Sequence, residues 1–370
     1  MNRDNRRTRP YGQRRLRIAF VTPPWSDVPP QAYGGIELMA GDLIDALVDR
    51  GHDVILVGAG YNRTRARFLR TFEHAPSQRL GEPLPEILHA AWAGRYLEEL
   101  DVDVIHDHTL AGPLYHRPHT IPPVVTTNHG PFDALLSPIY RALRDVAVLA
   151  ISHSQASAAV GVPIAAVIHH GIDVRAVPEG HGDGGYASFL GRMAPEKGPR
   201  QAALIARAAG VPLRMAAKLR EPAERNYFDA EVKPLLCSDV EYVGELGVED
   251  KLVLIGDSFA LLNPLQWAEP FGLVMIEALA TGTPVVGTPT GSAPEIVDDG
   301  LTGYLRTGLL TLAAALLETP SLDRGACRAA ALQRFDTQRM VSDHVRVYET
   351  VLTRRPRATP RVIDAKARAS

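Results

Sequence analysis

The stretch Trp267-Ala-Glu-Pro-Phe-Gly-Leu-Val-Met-Ile-Glu277 sets two carboxylates around the start of a helix. Pro270 suits an opening helical turn, where a missing N–H costs nothing, and Gly282 before Thr283-Pro284 stops the helix. The spacing predicts a helix over 271–280 with Pro270 at its start. Phe271, Gly272 and Leu273 then carry N–H groups without intrahelical acceptors, at the positive end of the helix dipole, which is a seat for phosphate. A carboxylate beside that seat is repulsive unless it binds something else. Glu269 therefore reads as a partner for sugar hydroxyls. Glu277, roughly 10–12 Å further along the axis, reads as a partner for a ribose.

Two cations precede this stretch, in Phe189-Leu-Gly-Arg-Met-Ala-Pro-Glu-Lys-Gly198. Arg192 follows a strand and Lys197 precedes a helix, a placement that suits the two phosphates of a diphosphate. Arg grips by paired hydrogen bonds and Lys as a point charge. The opposing reading makes both surface charges, with Glu196 as partner to either. Gly34-Gly35 lies between a strand and a helix, where paired glycines let the backbone approach a ligand or simply make the turn. His129, in Thr127-Asn-His-Gly-Pro, follows a strand and suits hydrogen bonding to a sugar or the poising of a carbonyl beside it. G-x-x-x-x-G-K-[ST] does not occur, and the glycine run Gly180 to Gly185 reads as linker composition. His106, Asp107 and His108 are a poor metal set, because neighbouring strand positions face opposite ways. Asp101-Val-Asp103 has the acid spacing of metal-dependent sugar transfer, but it sits at a strand start and reads as a solvated turn. Glu295 suits a first helical turn, and its role stays open.

These residues need a scaffold of alternating strands and helices. Arg17 to Val21 is an apolar strand, 36–50 has helical spacing, and Asp53 to Val57 is the next strand. The alternation continues and restarts after Gly180 to Gly185, so the chain reads as α/β: two doubly wound, Rossmann-like halves facing across a cleft. Ligands in such sheets sit beyond the carboxyl ends of the strands. The expected organisation is a basic tail over 1–15, a first domain over 16–178 and a linker over 179–185. A second domain follows over 186–335, then a helix over 336–353 that returns to the first domain, and a loose tail over 354–370. Loops 23–33 and 61–85 are expected to choose the acceptor.

With 370 residues, the chain is long enough for two cores. A net charge of -2 gives no field that favours nucleic acid. The two cysteines, Cys237 and Cys327, read as reduced thiols of a cytoplasmic protein. No apolar run approaches the ~20 residues of a membrane span, and 16–21 is too short for a signal peptide. Seven arginines up to Arg17 leave weak contact with an anionic membrane as a second reading of the tail.

In this order, the residues resemble the retaining glycosyltransferases of family 4, which have the GT-B fold. The matching pieces are Gly34-Gly35-Ile-Glu, His129-Gly130, His170-Gly-Ile-Asp173, Gly191-Arg192 with Glu196-Lys197-Gly198, and Glu269-Pro-Phe-Gly-Leu with Glu277-Ala; Pro284-Val-Val and Pro294-Glu-Ile-Val continue the pattern. The resemblance implies a nucleotide diphosphate sugar donor, a hydroxyl acceptor and no metal or other cofactor. Arg192 and Lys197 would replace the metal at the diphosphate, and the amides after Glu269 would hold phosphates and sugar. Glu277 would take the ribose and the segment near Val243-Gly244 the base, while His129 and Gly34-Gly35 complete the site. Gly291-Ser292, where the family often has paired glycines, and the approach Asn263-Pro-Leu-Gln-Trp-Ala are departures that bear on sugar choice. Competing readings are a phosphorylase or epimerase of similar fold, a nucleotide-sugar-binding protein without catalysis, and a metallohydrolase built on the histidines.

Overall fold

A computed structural model describes residues 14–30, 34–115, 122–143 and 145–354. Of the two expected tails, only Arg14, Arg15 and Arg354 fall among them; the rest of both lies outside the described residues, as do 31–33 of the expected acceptor loop.

Seven parallel strands form the first sheet: β1 (Arg17–Val21), β2 (Asp53–Gly58), β3 (Arg67–Arg70), β4 (Val104–Asp107), β5 (Val124–Thr127), β6 (Val146–Ala150) and β7 (Ile164–Val167). Six more form the second: β8 (Ala187–Arg192), β9 (Leu213–Lys218), β10 (Val240–Gly244), β11 (Ala260–Asn263), β12 (Val285–Gly287) and β13 (Gly303–Leu305). The first half carries helices α1 (Gly35–Asp49), α2 (Pro83–Glu99), α3 (Ser137–Ala142) and α4 (His153–Ala158). The second carries α5 (Pro199–Ala209), α6 (Pro222–Tyr227), α7 (Val248–Asp257), α8 (Leu273–Ala280), α9 (Ala293–Ile296), α10 (Leu309–Glu318) and α11 (Arg324–Arg334), before a final helix, α12 (Thr337–Arg354).

Central strands such as β1, β4 and β11 are buried because helices cover both faces of a parallel sheet; their apolar residues fill the core, and β4 and β11 end on buried polar groups at the carboxyl edge. Strand order is β3-β2-β1-β4-β5-β6-β7 in the first sheet and β10-β9-β8-β11-β12-β13 in the second. The direction of winding reverses between β1 and β4, and again between β8 and β11. A reversal splays the two flanking loops apart and opens a crevice at the carboxyl ends. The loops from these four strands lead to Gly34-Gly35, His108, Arg192 and Glu269, so the topology alone aims them at common ground.

The structure corrects several expectations. β3 went unread because its exposed Arg67 and Arg70 flank only two half-buried apolar residues, an edge-strand pattern with little signal. The segment 179–185 is more than a tether. Gly180, Gly182 and Gly184 donate backbone hydrogen bonds to Thr281, Gly256 and Asp257, so it is strapped along the second half. Cys237 is exposed and Cys327 buried, and both are free thiols. Among the described residues no helix is long and apolar enough to cross a membrane.

The chain crosses back beside Ile172, whose N–H donates to Phe335 O while the Thr337 N–H donates to Ile172 O. α12 then packs on α1, and Met340, Val341, Val345 and Tyr348 enter the first-half core with Phe20, Leu43 and Leu56. Tyr348→Ala should therefore destabilise the first half by roughly 3–5 kcal/mol, the usual cost of emptying a large aromatic site. Denaturant unfolding followed by fluorescence measures it, and a loss below 1 kcal/mol would contradict this packing.

Candidate active site

A cleft of about 1680 Å³ lies between the two halves and is lined by both. Its second-half wall is organised around the start of α8. That helix begins at Leu273, three residues later than Pro270. Phe271 is pinned in the core against His170 and Phe335, and Gly272 takes φ +88°, a conformation no helix interior adopts. Pro270 to Gly272 thus form a loop that ends on a glycine cap. Among the described residues, none accepts a hydrogen bond from the N–H of Phe271, Gly272, Leu273 or Val274. The seat for an anion exists, displaced by one residue toward Val274.

Lys197 reaches this tip from the other side of the β8/β11 crevice. Its Nζ donates to both oxygens of Glu269, at 2.5 and 2.6 Å, and the Trp267 indole N–H donates to the same carboxylate at 2.9 Å. The side chains of Lys197 and Glu269 are only 16% and 12% exposed, so solvent screens the pair weakly. Gly198 makes the close approach possible. It has φ +75°, and a Cβ there would sit 2.2 Å from Pro264 O. Arg192 pairs with Glu196 at 2.6 Å, as the opposing reading of that segment had it, yet both residues line the same cleft.

Glu277 accepts from Lys251 Nζ of α7 at 2.5 Å and is buried. Lys251 lies 26 residues away, with no motif to mark it. Ser292, noted only as a departure, holds the tip in place: its hydroxyl donates to Phe271 O and its N–H to Glu269 O. Val243 is corrected. Its side chain faces out from β10 and is 38% exposed, while Gly244, at φ +90°, turns the chain so that Glu245, Leu246 and Val248 line the cleft.

The first half supplies the opposite wall. Gly35 opens α1, and a Cβ on it would lie 2.8 Å from Leu273 Cδ1. The starts of α1 and α8 therefore face each other at contact distance, with Gly34 beside them. His129 also lines the cleft, stacked on His170 with ring centroids 5.2 Å apart. Burial, with a smaller contribution from His344, pushes the His129 pKa down to about 3, so the ring is neutral at ordinary pH.

The remaining candidates fall elsewhere. Asp101 and Asp103 pair with Arg17 and Arg14 at the amino end of the first sheet. Asp107 accepts from the N–H and hydroxyl of Thr109, so it caps a turn instead of joining His106 and His108. Glu295 is an interdomain clasp, accepting from the backbone N–H groups of His153 and Ser154 and from His169 Nε2 at 2.7–2.8 Å. Burial raises its pKa, but these hydrogen bonds outweigh burial and hold it below the usual carboxylate value. His153, His169 and Glu295 are close enough to share a cation, yet both Glu295 oxygens already have protein donors.

Comparisons with known proteins bear on the family and the fold. A family model described as Glycosyltransferase Family 4 matches residues 33–176, and one described as Glycosyl transferases group 1 matches 175–308. N-acetyl-alpha-D-glucosaminyl L-malate synthase of Bacillus anthracis is 33% identical over 136 residues, 32% of this chain and 36% of that protein. Phosphatidyl-myo-inositol mannosyltransferase of Mycolicibacterium smegmatis is 24% identical over 91% of this chain and 94% of that protein. The chain thus spans about a third of the length of the first relative and nearly all of the second. Among solved structures, AviGT4, a glycosyltransferase involved in avilamycin A biosynthesis, superposes with a TM-score of 0.71 at 26% identity, covering 92% of this chain and 99% of that one.

The half-buried Lys197–Glu269 pair generates a direct test. Lys197→Ala leaves Glu269 with the indole N–H alone, and Glu269→Gln leaves the ammonium without a counter-charge. A double-mutant cycle on unfolding free energy should give a coupling on the order of 1–3 kcal/mol. Additive single effects would show that the two side chains do not interact in solution.

Proposed function

The chain belongs to glycosyltransferase family 4, and on that premise we propose that it moves a sugar from a nucleoside diphosphate donor to an acceptor hydroxyl. The reading specifies retention of the anomeric configuration and no metal ion. One observation carries it: Lys197 and the free amides at the start of α8 converge on one point of the cleft, with Arg192 on the same wall and His129 opposite.

On this reading the diphosphate sits on the amides of Gly272 to Val274. It draws Lys197 and Arg192 from their carboxylates, which frees Glu269 for the hydroxyls of the sugar. Glu277, held by Lys251, takes the ribose. The bond from the anomeric carbon to the leaving phosphate oxygen breaks, and its electron pair goes to the diphosphate. The acceptor oxygen bonds to the same face of that carbon and passes its proton to the leaving phosphate oxygen. Charge builds on the diphosphate as the sugar becomes oxocarbenium-like, so amides and cations fixed beforehand lower the barrier. The two cations and the helix end supply the positive charge that a metal would otherwise bring.

The test incubates the protein with a panel of nucleoside diphosphate sugars and hydroxyl acceptors, reading product by mass spectrometry and anomeric configuration by NMR. A glycosylated product of retained configuration supports the proposal; nucleotide binding without transfer or donor hydrolysis on any acceptor contradicts it. Lys197→Ala and Arg192→Ala should each lower kcat/KM by about 10²–10³-fold, the scale for losing one preorganised charge-stabilising group. Unchanged turnover in Lys197→Ala would remove that residue from the mechanism. Activity should also survive EDTA; loss with EDTA and recovery with manganese would contradict metal independence.

A further inference from the structure

The cleft histidine is the end of a buried hydrogen-bonded chain that starts on the last helix. Tyr348 of α12 meets His106 Nδ1 at 2.7 Å, and His106 Nε2 meets the Thr127 hydroxyl at 2.8 Å. His108 Nε2 faces the same His106 Nδ1 at 3.3 Å, and its Nδ1 meets His129 Nε2 at 2.8 Å. The other ring nitrogen of His129, Nδ1, is buried and has no partner among the described residues. His344 lies beside His106 but takes no part, since its Nδ1 is bonded to Met340 O.

We propose that Tyr348, His106 and His108 are positioning residues that fix the tautomer of His129, with the proton on Nε2 and a bare Nδ1 that accepts a hydrogen bond from a hydroxyl of the bound donor sugar. Tyr348 is fully buried and His106 is its hydrogen-bond partner, so its O–H must donate there or lose its bond. His106 Nδ1 is then an acceptor, and the proton of the neutral ring lies on Nε2, donated to Thr127. His108 Nε2 faces the same nitrogen at 3.3 Å, where a second bare nitrogen would repel, so it carries its proton and shares that acceptor with Tyr348. Its own Nδ1 is then an acceptor, which requires the proton of His129 on Nε2. Burial pushes the pKa values of His106 and His108 well below the usual histidine value, so each ring holds one proton. Reversing every bond strands the Tyr348 proton and buries an unpaired N–H on His129. The sugar hydroxyl as partner rests on the transferase reading; the tautomer does not.

The experiment uses full-length protein with 15N-labelled histidine and long-range 1H–15N correlation spectra. His129 is assigned by its loss in His129→Gln. Without ligand, its Nδ1 should resonate in the unprotonated range and its Nε2 in the protonated range. Tyr348→Phe keeps the ring and removes the donor, so the two His129 nitrogens should move toward each other as tautomers mix. If Tyr348→Phe does not fold, His108→Phe breaks the chain one step from His129 and is read the same way. A protonated Nδ1 in the parent protein, or a His129 spectrum unmoved by breaking the chain, overturns the relay. Adding a nucleoside diphosphate sugar should shift Nδ1. Binding seen by calorimetry with no such shift overturns the hydroxyl contact and leaves the transferase reading standing.

Discussion

The contact between Lys197 and Glu269 is the constraint on which the rest of the cleft depends. One side chain comes from the loop after β8, the other from the loop after β11, and the strands diverge there. Joining the loops across the reversal puts a cation near the start of α8, whose first amides have no acceptor among the described residues. A helix start alone is a weak anion site, and the neutral Lys197–Glu269 pair keeps an ammonium within reach of it. Everything behind the pair serves its geometry. Gly198 lets the lysine loop touch Pro264, and Ser292 fixes the carbonyls on either side of Pro270.

The first half sets neutral imidazoles beside the carboxylates of Glu37 and Glu86 on its wall. Its imidazoles at the cleft, His108, His129 and His170, are kept neutral by burial, so these rings offer hydrogen bonds and stacking surface without adding charge. Among the described residues, the cations that line the cleft, Arg192, Lys197, Lys218, Arg220 and Lys251, all come from the second half. Glu295 ties the halves together near His169, and α12 returns from the second half to seal the core beneath the histidines.

Much of this organisation was legible in the sequence, for definite reasons. Strand–helix alternation predicts the two parallel sheets, and placement at strand ends brings Gly34-Gly35, His129, Arg192 and Glu269 to one cleft. The partnership of Arg192 with Glu196 was legible because it is local. What escaped was set by tertiary packing. Phe271 reads as a helical residue until its burial against His170 and Phe335 pulls it out of the helix. Lys251 carries no local signal that it will meet Glu277, and Ser292 none that its hydroxyl will meet Phe271 O. Val243 was misplaced because the turn at Gly244 decides which side chains reach the cleft.

The central claim is that the start of α8 and Lys197 together recognise a diphosphate. Calorimetric titration of the parent protein and Lys197→Ala with paired nucleoside monophosphates and diphosphates tests it most directly. The account predicts that one diphosphate binds at least about tenfold more tightly than its monophosphate, roughly 1.4 kcal/mol, and that the gap narrows in the variant. Equal affinities for the two, or a gap that Lys197→Ala leaves intact, would contradict it.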